Sequence, residues 1–273
     1  MVTILNKISL LFSLISRWCC RHYLLSLIAV LAAGLAVKMG ILLNDGILGR
    51  DSCFYLLIVQ KWNNTGVLES EWLPPMLFVL IKGVMWLGFS AETAGILLNV
   101  ILGTLIAIVA AAIAFEATHS IKVALISAFF AAVHPGINEL STEVQRDIPY
   151  LFFIGIAVLF AVSAIRGKKY YLFCASGIAL AFAFLTRYES VEFLLLFPFA
   201  NIVLVYMKSI SVKQCILNIC CLLVSFSVAI ALFLLLHGGS DFFAKYQKYY
   251  HWKFIAIEQF FNQSLTNGAG NHD

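Results

Sequence analysis

Apolar runs of membrane-spanning length recur along this chain, and they leave few folds open to it. A spanning helix needs about 20 mostly apolar residues, because in the hydrocarbon core a backbone amide finds no partner outside its own helix or a closed barrel. Such runs occupy roughly residues 22–43, 94–117, 121–137, 148–166, 170–186, 190–207 and 214–236. Composition agrees, with 62% of residues hydrophobic, 12% charged and a mean hydropathy of +0.95. The expected fold is an all-α, polytopic transmembrane helical bundle of about seven spans. Residues 1–237 form the bundle, and 238–273 form an external interfacial tail in which aromatics interleave with Lys245, Lys248 and Lys253. The opening residues lack a small-residue cleavage pattern and read as a retained cytoplasmic lead. No basic tract points to nucleic acid, and the cysteines show neither a disulfide framework nor zinc spacing.

One apolar stretch is different. "PPMLFVLIKGVMWLGF", from Pro74 to Phe89, is short and carries Lys82 near its middle, which reads as a helix lying at the interface. Charge tests that reading. If the stretch does not cross, the connections holding Arg17 and Arg21, then Lys122, then Arg166, Lys168 and Lys169, then Lys208 and Lys213 all face one side. The positive-inside rule makes that side cytoplasmic. The other side then gathers most of the carboxylates, including Asp45, Asp51, Glu71, Glu92, Glu139, Glu143, Asp147 and Glu189. A crossing would scatter both groups.

Four polar groups on that outer side could do chemistry. "GRDSCFYL" places Arg50 and Asp51 where the chain leaves the first span and enters an amphipathic run. A carboxylate there can serve as a general base, and the plainer reading is a solvated Arg50–Asp51 pair. "EVQRDIPY" holds Arg146 and Asp147 just before Pro149; Asp147 suits a helix N-cap, which leaves Arg146 free to grip phosphate oxygens. "LTRYES" sets Arg187 and Glu189 between two apolar runs with no polar spacer, where ionisable groups mark a site or close a turn as an ion pair. "SEWLPPM" ends the first loop with Glu71 beside Trp72 and two prolines, which also reads as an interface anchor and a helix start.

The order of these elements carries more than any one of them. A first span, then "RDS..YL", a Pro-Pro before a short helix, "AETAGILLN", "HP....S.E..RDIPYLFF" and "GIALAFAFLTRYES" together resemble the GT-C glycosyltransferases, in particular the family 39, dolichyl-phosphate-mannose-protein mannosyltransferase-like group of bacterial membrane proteins. The resemblance covers about residues 22–207. It implies an inverting transfer of sugar from a polyprenyl-phosphate carrier to a glycan, lipid or protein acceptor at the periplasmic face of the inner membrane. It also implies interfacial helices in the first loop and a catalytic role for Asp51. Arg50, Arg146, Asp147, Arg187, Glu189 and Glu71 are then candidates for holding phosphate or sugar. Relatives that transfer aminoarabinose carry Glu-Lys before the two prolines, where this chain has Trp72 and Leu73. The chain is also short beside family members.

No cofactor is required by this chemistry, since arginines can neutralise a phosphate leaving group; a divalent cation held by Asp51 and Asp147 is the other arrangement. Two different classes compete: a transporter or flippase subunit, marked by inverted repeats and broken helices, neither of which the sequence shows, and a non-catalytic membrane scaffold.

Overall fold

The computed structural model describes residues 18–45, 48–69 and 73–237, with isolated positions 247, 251 and 255 beyond them. Both Glu71 and nearly all of the expected tail lie outside the described residues. Among the described residues the chain is helical and holds no strand. Its helices are α1 (Tyr23–Asp45), α2 (Arg50–Thr65), α3 (Met76–Met85), α4 (Ala91–Thr118), α5 (Ile121–Val133) and α6 (Pro135–Ser141). They continue with α7 (Asp147–Gly167), α8 (Leu172–Phe184), a 3-10 turn (Tyr188–Glu192), α9 (Phe193–Tyr206) and α10 (Val212–His237).

Five of these elements are long and apolar enough to cross a membrane: α1, α4, α7, the 3-10 turn with α9, and α10. Two of the expected spans come out differently. The run at 121–137 is not one helix but two, α5 and α6, bent by 54° at His134; counting the pair as one span gives six. The residue before a proline is pushed out of the α region, so His134 is extended (φ −62°, ψ 120°) and Pro135 opens a new helix. His134 Nδ1 then caps that helix by accepting from the Ile137 N–H at 3.3 Å. The run at 170–186 forms only α8, whose 13 residues reach about 20 Å. Of the seven expected spans it is the one that falls short.

α3 has 10 residues and spans about 15 Å, half the thickness of a bilayer core. It does not cross. Its first N–H, on Met76, donates to Leu185 O at 2.8 Å, which ties the Pro74–Pro75 entry to the end of α8. Met76, Leu77, Phe78 and Ile81 are buried on the bundle, with Tyr55 of α2 edge-on to Phe78 at 6.2 Å. α2 and α3 therefore form a cap over one end of the helices.

Small residues let the spans approach closely, because lipid is as apolar as leucine and association rests on packing and interhelical hydrogen bonds. Ala111, Ala124 and Ala128 are buried together between α4 and α5, as are Ala157, Ala161, Ala164 and Ala179 between α7 and α8. Ser176 adds a bond to Ala157 O at 2.8 Å, and Asn218 of α10 donates to Asn201 of α9 at 2.8 Å.

Candidate active site

The site begins at Gly49, the extended residue before α2. α2 buries Ser52, Tyr55, Leu56 and Val59, the i, i+3, i+4, i+7 stripe of an amphipathic helix, and stops where Gly66 turns left-handed (φ 73°). That stripe fixes the rotation of the first turn. Ser52 faces inward, while Arg50 and Asp51 are exposed. The two are not paired with each other among the described residues, since neighbours on a helix point apart.

Against this turn lies the segment that joins α6 to α7. Asn99 of α4, fully buried, donates to Glu143 O at 2.6 Å and to Gln145 O at 2.9 Å, gripping the chain on both sides of Val144. Val144 fills the space over Gly95, where an added Cβ would lie 2.8 Å from its methyl carbon. The Glu143 carboxylate is thereby directed at α2: its Oε2 accepts from Ser52 Oγ at 3.2 Å and from Gln145 Nε2 at 3.1 Å. Gly49 leaves room for this carboxylate, since a Cβ at position 49 would lie 2.6 Å from the same oxygen and push the side chain aside.

The next residues are Arg146 and Asp147. The sequence suits Asp147 as N-cap of α7, but Arg146 occupies that position and makes no capping bond with its side chain. Asp147 falls in the first turn, and its carboxylate is taken instead by Arg187 Nη1. Arg187 also reaches Glu189 Oε1 at 3.4 Å and lies over the Tyr150 ring at 5.6 Å. The ion pair expected within "TRYES" is present, and Asp147 joins it from 40 residues away. Arg146 is in a different state: its Nη1 is buried and has no partner among the described residues.

Tyr55 shows how these groups lie relative to one another. Burial pushes its phenol pKa up; Asp51 and Asp147 push the same way, and Arg146 and Arg187 oppose them. All four charged groups therefore act on one side chain at one end of the bundle. Among the described residues no three of His, Cys, Asp and Glu converge as metal ligands.

Glu143 and Ser52 were not singled out by sequence reasoning as site residues. Nothing local marks their pairing. Lys38 was missed as well, although it had a signal: a lysine seven positions inside the first apolar run. It is fully buried and donates to Asn138 Oδ1 at 2.8 Å.

A family model, that of dolichyl-phosphate-mannose-protein mannosyltransferases, matches residues 73–237. The chain belongs to that family. It is a membrane glycosyltransferase of the GT-C superfamily, built as an all-α polytopic bundle. The match covers the Glu143–Asp147 segment and the Arg187 turn of the transferase; α1 and α2, with Asp51, precede it. No curated protein matches the chain.

Proposed function

We propose that the transferase moves a sugar from a polyprenyl phosphate to an acceptor hydroxyl on the non-cytoplasmic side of the membrane, inverting the anomeric centre. The observation that carries this reading is that the Ser52–Glu143 bond and the Arg187–Asp147 pair bring the turn with Asp51, the Arg146–Asp147 segment and the Arg187 turn to one end of the bundle. Charge supports the sidedness: Lys122, Arg166, Lys168, Lys208 and Lys213 lie at or beside the opposite ends of the helices, the end that the positive-inside rule favours for the cytoplasm.

In the proposed step the Asp51 carboxylate takes the proton of the acceptor O–H. The oxygen forms its bond to the anomeric carbon as the carbon–oxygen bond to phosphate breaks from the opposite face, and the electron pair leaves with the lipid phosphate. Charge grows on that phosphate, where preorganised cations act most strongly. Arg146, with its open Nη1, is the first candidate for it; Arg187 is held by two carboxylates and acts beside it. The prenyl tail has an apolar groove of about 600 Å³ between α8 and α10, lined by Ile178, Phe182, Val224, Leu232 and Phe233. Phe233 also packs in the cluster with Tyr188, next to Arg187.

Transfer of labelled sugar from a polyprenyl phosphate, measured in membranes containing the protein, tests this. Asp51→Asn is expected to lose about 10²- to 10⁴-fold in rate. An unchanged rate would remove Asp51 from the mechanism. The bent α5–α6 pair is the one observation favouring a transporter, whose substrate paths run between broken helices. Its polar interior, Lys38 with Asn138, is closed by packing and offers no path.

A further inference from the structure

α1 touches the broken span on both sides of its break. Before the break, Gly34 lies so close to Ala132 that an added Cβ would stand 2.9 Å from the carbonyl oxygen. After it, one turn further along α1, Lys38 Nζ donates to Asn138 Oδ1 at 2.8 Å. Between these two contacts the chain axis turns by 54°.

A lysine is a costly way to occupy this place. Lys38 is fully buried, Asn138 nearly so, and no carboxylate pairs with Lys38 among the described residues. A methionine or leucine would fill the same volume inside a spanning segment without burying an amine. What lysine adds is a long stem ending in an N–H donor that reaches α6. From Asn138 the helix runs only to Ser141, itself buried and packed against Gly103 of α4, and two residues later comes Glu143. The direction of α6 therefore sets, together with the grip of Asn99, where Glu143, Arg146 and Asp147 stand.

We propose that Lys38 is a positioning residue of the transferase: its hydrogen bond to Asn138 sets the bend of the broken span and so keeps the Glu143–Asp147 segment in register with the turn that carries Asp51. The effect on catalysis rests on the proposed function; the effect on geometry does not.

Two variants of similar size separate the donor from the charge. Lys38→Gln keeps an N–H donor on a stem one bond shorter, and Lys38→Met keeps a stem without a donor. The expected kcat of Lys38→Met is roughly 10- to 100-fold below wild type, the scale of a small misplacement of reacting groups, with KM for the polyprenyl-phosphate sugar little changed. Lys38→Gln is expected to recover most of the loss. Full activity in Lys38→Met, or equal loss in both variants, would overturn the proposal. A second readout needs no activity. With the native cysteines replaced, Ser52→Cys and Glu143→Cys are bridged by a short bifunctional thiosulfonate. The bridge is expected with Lys38 and with Lys38→Gln, and is expected to fail with Lys38→Met. Equal bridging in all three overturns the proposal even if transfer is measurable. Bridging in the expected pattern, with no transfer by the wild type, would sustain the proposal and sink only the assigned reaction.

Discussion

Ser52 Oγ donates to Glu143 Oε2 across 3.2 Å, joining residues 91 positions apart in the chain. The bond ties the turn holding Asp51 to the segment holding Arg146 and Asp147. Hydrogen bonds to charged groups contribute roughly 1.5–3 kcal/mol when well buried; the Glu143 end here is only half-buried, which places this one lower. Ser52→Ala is expected to cost about 1 kcal/mol of stability. It should lower kcat more than it raises KM, because the bond aligns reacting groups without touching the donor. Thermal melting in detergent and steady-state kinetics read the two effects separately.

Gly95 and Gly49 sit against the same segment and should respond differently to alanine. At Gly95 the neighbour is Val144, β-branched and fully buried, with its backbone fixed on both sides by Asn99. Gly95→Ala therefore overpacks a site that cannot give, at about 1–3 kcal/mol, seen as a lowered melting temperature. At Gly49 the neighbour is the end of the Glu143 side chain, which can swing away. Gly49→Ala should leave the melting temperature nearly unchanged while lowering kcat through loss of the Ser52 bond.

Arg146 and Arg187 are both cations of the candidate site, and their substitution should separate binding from stability. Arg146 has a buried donor without a partner among the described residues, so Arg146→Ala strands no hydrogen-bonded group among them. Its expected signature is weaker use of the lipid-phosphate donor, a fall in kcat/KM of about tenfold or more, with little change in melting. Arg187→Ala strands Asp147 and Glu189 together, two carboxylates that are about one quarter exposed. Removing one partner of such a cluster is expected to cost roughly 1–3 kcal/mol and to lower the melting temperature.

Tyr55 gives a prediction in pH. Its folded-state pKa is raised above the ordinary 10.0, first by burial, with Asp51 and Asp147 adding to it. Below pH 10 the phenol is protonated in both folded and unfolded chains, and its contribution does not vary. As pH rises past 10 the unfolded phenol loses its proton while the folded one keeps it, so the folded state loses stability towards its own higher pKa. Melting temperature in detergent should fall on that alkaline limb, and Tyr55→Phe should flatten it. An equally steep limb in the variant would place the titrating group elsewhere.

The apolar runs alone place this chain in a bilayer, because runs of spanning length admit few solutions in which every backbone amide is satisfied. Charge likewise reveals the character of Pro74–Phe89: the scatter of lysines and carboxylates is orderly only if that stretch stays on one side. The break at His134 was written locally too, in the dipeptide His134–Pro135, yet the apolar run around it reads as continuous until the backbone consequence of proline is followed through. What the tertiary structure alone decided is which polar groups meet. Asp147 could cap a helix or pair with a cation, and the choice fell to Arg187 because α7 and α8 pack side by side. Glu143 found Ser52, and Lys38 found Asn138, across separations where no periodicity or spacing carries information. A hydrogen bond reports a distance of about 3 Å, and only the packing of whole helices fixes distances that short between residues that far apart.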